Sequence, residues 1–131
     1  MIKLSNKGQS LLTFVVFIPF LIILGVWIID ITNMKYSENK LKELNKEVVN
    51  YGINHIENDP YDSMVEIIRL NDNDVIYQID IDTENQKVNV ILEKDINGIL
   101  TSIVGIKNFK IKNEYKASIK DEKIIIEEGA K

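Results

Sequence analysis

The sequence predicts an α+β protein: a long N-terminal transmembrane helix and stalk, followed by a small antiparallel β-sheet head with short helices. Three observations predict it. No Asp, Glu, Lys or Arg occurs from Gln9 to Ile29, whereas the rest of the 131-residue chain is polar and charged. Leucines and valines then recur at helical spacing with no proline before Pro60. Beyond Pro60, short segments alternate apolar and polar residues between turn-forming clusters, the period of half-buried strands.

The apolar block runs from Leu11 to Ile29. At about 1.5 Å of rise per residue it reaches roughly 29 Å, close to the hydrocarbon thickness of a bilayer. It has no polar face, unlike a helix on the surface of a soluble core. A signal peptide has a shorter apolar region and a small-residue exit. Gly25-Val26-Trp27 and Asp30-Ile31-Thr32 make a poor one. Lysines flank both ends, with Lys3 and Lys7 before the block and Lys35, Lys40, Lys42 and Lys46 after it, so charge alone does not orient the segment.

From residue 30 to 57 the helix is expected to continue as a stalk, with Leu41, Leu44, Val48, Tyr51 and His55 forming an a/d seam. Gly52 and Pro19 are the expected bends, Pro19 because its ring blocks a backbone hydrogen bond. Pro60 ends the helix and biases Asp59 to an extended conformation. Ser63-Met64-Val65-Glu66 has capping-box spacing, so a second helix is expected over Met64 to Leu70.

In the first strand Val75, Tyr77, Ile79 and Ile81 share one face, and Gln78, Asp80 and Asp82 the other. A turn at Thr83 to Gln86 leads to a partner strand with Val88, Val90 and Leu92 inward. Ile96, Ile99, Leu100, Ile103 and Val104 have the spacing of an amphipathic helix. Phe109, Ile111, Tyr115, Ala117 and Ile119 then alternate with Lys110, Lys112, Glu114 and Lys116, and Asp121-Glu122 turns the chain into a last strand over Lys123 to Glu127. The expected organisation is residues 1-8 as a leader, 9-29 as the transmembrane helix, 30-57 as the stalk and 58-131 as an α+β head.

All 20 acidic residues lie from Asp30 onward, while two of the 16 basic ones precede the block. That acidic balance disfavours nucleic acid, which needs clustered Lys and Arg. There is no cysteine, which excludes disulfides and zinc–thiolate sites. The single histidine, His55, reads as a structural residue of the seam. Asp80, Asp82 and Glu84 have the first spacings of a calcium loop, but Asn85 stands where that loop needs Gly and Ile91 where it needs Glu. Lys107, Lys110, Lys112 and Lys116 read as a solvated strand face. No catalytic constellation, metal site or cofactor site is expected, and the chain reads as a non-enzyme.

One stretch carries a more specific pattern. Lys7-Gly8-Gln9-Ser10-Leu11-Leu12-Thr13-Phe14, followed by an apolar run and Pro19, resembles the processing segment of type IV pilin-like proteins. Within that group it is most similar to the TadE/TadF-like minor pseudopilins of tight-adherence (Flp) pili. Val88-Asn89-Val90, Leu100 to Gly105 and the alternating segment to Ala117 are loosely similar to the distal part of the same family. The resemblance implies a pilin-like layout and a leader cut by a membrane prepilin peptidase between Gly8 and Gln9. It also implies insertion in the cell membrane with the head outside the cytoplasm, and other pilins or minor pseudopilins as partners beside the lipid bilayer. Phe14 and Pro19 match the family pattern, while Thr13 stands where the family has a Glu that pairs with an N-terminal amine in assembly. The alternative reading is an unprocessed single-pass membrane protein with an extracytoplasmic interaction domain.

Overall fold

The computed structural model describes residues 6–105 and 109–129. Helix α1 runs unbroken from Asn6–Asn54, 49 residues or about 73 Å at helical rise. Pro19 lies inside it, and the helical assignment also continues through Gly52. After a 3₁₀ turn at Ile56–Asn58 comes α2 (Tyr61–Asn71). Strands β1 (Ile76–Asp82) and β2 (Lys87–Ile96) follow, then the short helix α3 (Ile99–Val104), β3 (Phe109–Lys120) and β4 (Lys123–Glu128). The strands form one antiparallel meander in the order β1-β2-β3-β4. The architecture is α+β, as the residue pattern predicted, with the pilin-like layout that the resemblance implied.

The inward face of the sheet carries Val88, Val90 and Leu92 from β2 and Ile111, Tyr115 and Ala117 from β3, all buried. The second half of α1 closes over that face with Leu41, Leu44, Val48, Val49 and Ile53. The segment expected to be a stalk therefore supplies the central helix of the head. Its buried stripe is wider than the expected seam and rotated away from it: Val49 and Ile53 are buried, Tyr51 is half-buried and His55 is exposed. A helix facing a sheet buries a broader surface than one facing a single helix, so a stripe wider than a/d is needed.

Gly52 is a contact point. A Cβ there would come within 2.7 Å of the Met64 methyl on α2 and 3.3 Å of Val88 on β2. Its missing side chain lets three elements meet.

Several local expectations are corrected. The helix cap at Ser63 does not form: α2 starts earlier, with Pro60 as its N-cap residue and no side-chain cap bond. Proline there needs no hydrogen-bond partner for its nitrogen, and its carbonyl accepts from the Met64 N–H at 2.9 Å. Asp59 is left-handed (φ 47°, ψ 79°) and not extended; it still avoids the right-handed helical region that the following proline ring disfavours. Ile96 ends β2 instead of starting the third helix, because it pairs with Phe109 in the β2–β3 ladder. Asp121 and Glu122 both have positive φ (52° and 64°), the two-residue turn whose twist suits a hairpin.

Candidate functional site

Among the described residues, most of the N-terminal half of α1 lacks a protein neighbour that would explain its composition. Leu11, Phe14, Phe17, Phe20 and Ile28 are each more than half exposed. The helix is long and apolar enough to cross a membrane, and no part of its most apolar window is buried within the chain. Exposed apolar surface on this scale is a binding surface for something.

Met1 to Ser5, with Lys3, lie outside the described residues. Lys7, Gly8 and Gln9 fall in the first turns of α1, which begins at Asn6. Gln9, Ser10, Thr13, Phe14 and Phe17 border one shallow surface depression of about 480 Å³. Gln9 and Thr13 share a helix face because they are one turn apart. The fold thus gathers Lys7, Gly8, Gln9, Thr13 and Phe14 within about two turns of one helix, with Pro19 further along it.

At the other end of the block stands a residue whose role the linear pattern did not reveal. Asp30 is only 6% exposed although it directly follows the exposed apolar run. Its two carboxylate oxygens accept hydrogen bonds from the backbone N–H groups of Ile99 and Leu100, each at 2.8 Å. The first turn of a helix has N–H groups without intrahelical acceptors, and a carboxylate there is favoured by charge as well as by hydrogen bonding. Asp30 is a cap supplied from another helix, 69 residues away in sequence. The one available signal was its place as the first charge after the block; nothing local to residue 99 could have named the donor.

A second polar device lies inside the core. The Asn45 side-chain amide on α1 donates to the Val90 carbonyl at 3.0 Å and to Asn113 Oδ1. Both asparagines are buried. Asn113 was legible in principle, because two-residue alternation places it on the same face as Ile111 and Tyr115.

The remaining titratable candidates do not gather into a site. His55 stacks on Tyr51 with ring centroids 4.2 Å apart, and its Nδ1 lies 2.9 Å from the Tyr51 carbonyl. Asp82 accepts from the Asn85 backbone N–H at 3.1 Å and from the Asn85 amide at 2.7 Å. Those bonds shape the β1–β2 turn, and they hold the Asp82 carboxyl below its usual pKa. Asp80 faces outward on the strand beside it. Among the described residues no three His, Cys, Asp or Glu side chains could hold a metal ion.

Lys107 lies outside the described residues. In the ladder Lys110 and Lys112 stand opposite Asp95 and Glu93, and Lys110 lies 3.6 Å from Glu93. The basic strip is one column of a face with both signs. Between α1 and the end of α2, a cavity of about 220 Å³ is lined by Lys40, Glu43, Glu47, Asn71, Asp72 and Lys94. Burial raises the Asp72 pKa, but hydrogen bonds from Lys94 and the Asp74 N–H, with the lysine charges, outweigh it and hold the carboxyl below its usual value.

Comparison with protein families, characterised proteins and solved structures finds no match for this chain.

Proposed function

We propose that this protein is a non-enzymatic minor pseudopilin of the TadE-like type, held in the cell membrane by residues 9-29 with its α+β head outside the cytoplasm. A prepilin peptidase cuts between Gly8 and Gln9, and the mature chain joins other pilins or minor pseudopilins in assembling or initiating a pilus. The observation that carries this reading is one continuous helix: exposed and apolar for its first half, buried in the head for its second. That arrangement, with Lys7-Gly8-Gln9 in the first turns of the helix and Pro19 inside it, suits a subunit that is stored in lipid and withdrawn along its helix axis.

The test is maturation in cells that carry a prepilin peptidase. Sequencing of the mature N-terminus is expected to start at Gln9. Gly8→Leu is expected to block cleavage without loss of membrane insertion, since the apolar block is untouched. Loss of the same leader from the Gly8→Leu protein would sink the proposal. Thr13 favours one other reading, an unprocessed single-pass membrane protein with an extracytoplasmic interaction domain, because a hydroxyl cannot neutralise a new N-terminal amine. An intact N-terminus in the wild-type chain selects that second reading.

A further inference from the structure

We propose that α3 is a membrane-contact element: it rests on the bilayer surface beside the exit of α1 and sets how close the head stands to the lipid. The inference depends on α1 crossing a bilayer. Four observations carry it. Asp30 is the first charge after the apolar block, so it marks the level at which α1 leaves hydrocarbon. Its carboxylate holds the N–H groups of Ile99 and Leu100 at 2.8 Å, which fixes the start of α3 at that same level.

On α3 itself, Ile99 is 47% and Ile103 74% exposed, and the two lie one turn apart on one face. Neighbouring turns of α1 expose Trp27, Ile28 and Ile31. The apolar surface of α3 is thus continuous in depth with the surface that faces lipid. Trp27 stands where aromatic side chains concentrate in membrane proteins, at the boundary with water.

The chemistry of the partner follows. A six-residue helix with two exposed isoleucines is too small to hold a membrane by itself. Tethered to an anchored helix, it needs no separate encounter, since the linkage keeps it at a high local concentration beside the lipid. Asp30 completes the arrangement. Backbone N–H groups near the hydrocarbon boundary cannot be left without acceptors, and the carboxylate supplies two at the point where water becomes scarce.

Absence of cysteine makes the test direct. Single cysteines are introduced at Val16, Ile31, Ile99, Ile103 and Lys120 of the full chain and labelled with an environment-sensitive fluorophore. The chain is reconstituted in vesicles of phosphatidylcholine and phosphatidylglycerol that carry a nitroxide either on the headgroup or at mid-chain. Labels at Ile99 and Ile103 are expected to be quenched by the headgroup nitroxide as strongly as the one at Ile31. The label at Val16 should respond to the mid-chain nitroxide, and that at Lys120 to neither. Water-like emission at both Ile99 and Ile103, with Val16 quenched, overturns the inference and leaves the membrane span standing. Water-like emission at Val16 as well overturns the span. Asp30→Ala checks the link with the Ile103 label in place: loss of its quenching, with that at Val16 unchanged, supports a role for the cap, and undiminished quenching overturns that role.

Discussion

Asn45 shows how a single side chain can specify the way a helix sits on a sheet. Its amide reaches the β2 carbonyl of Val90 and the β3 side chain of Asn113 at once, so only one rotation and one translation of α1 satisfies both. Buried polar pairs of this kind contribute little net free energy but make misplaced packings expensive, because each would leave an amide without a partner. Asn45→Ala is expected to destabilise the head by about 2 kcal/mol, the usual cost of leaving buried partners unmatched. Asn113→Ala should cost a similar amount, and the double variant less than the sum, with a coupling of about 1 kcal/mol. Denaturant unfolding of the four proteins measures the cycle; strict additivity would show that the two amides do not act together. Asp30 works by the same logic at the edge of the head, where a carboxylate joins the end of the apolar block to a helix distant in sequence.

Between elements, close approaches are made by residues that look ordinary in the chain. Gly52 lets α1, α2 and β2 come together, and the Lys94–Asp72 ion pair ties β2 to the residue that caps the end of α2. The Asp72 pKa is lower folded than unfolded, so the pair contributes stability above the ordinary carboxylate range, about pH 4, and loses it as pH falls through the folded value. Asp72→Asn should therefore lower stability at neutral pH, and its deficit against the wild type should shrink below about pH 4 as Asp72 itself becomes protonated. Chemical denaturation of both proteins at pH 7 and pH 3 decides this, and a deficit that stays constant would assign the effect to packing. Local rules were enough for β1, β3 and the last hairpin, where alternation and turn residues agree. They were not enough for Ile96, whose spacing suits a helix but whose backbone is claimed by pairing with Phe109.

On the scale of the whole molecule, the buried core begins at Leu41 and ends at Ala117, entirely outside the apolar block. Residues 31 to 131 are accordingly expected to be soluble, mixed α/β by circular dichroism and cooperative in thermal unfolding. That fragment lacks Asp30, so hydrogen exchange should be fast in α3 while β2 and β3 remain protected. An aggregated or non-cooperative product would mean that the apolar half of α1, or a partner, completes the core. Copy number belongs to the same scale. In a bulk fibre packed along the apolar helix, the N-terminal amine of Gln9 would be buried and would need a negative partner, since an unpaired buried charge is very costly. Thr13 offers a hydroxyl in its place, which suits a tip or initiating position. On the proposed pseudopilin reading, quantitative mass spectrometry of sheared surface fibres is expected to find this protein in trace amounts beside the major pilin; matching amounts would contradict the low-copy placement.

Composition and periodicity by themselves determined the α+β class, the apolar segment and most strand faces, because those depend on burial and on periods of 3.6 and 2, which neighbours along the chain already express. The tertiary structure alone decided that the expected stalk is the core's own helix. It also decided that Gly52 is a contact, that Asn45 meets Asn113 and that Asp30 caps α3. Each of these joins residues far apart in sequence, through directional hydrogen bonds or close packing that no local period encodes. A seam of leucines and valines reads the same whether it faces another helix or a sheet; only the partner brought to it by the fold tells them apart.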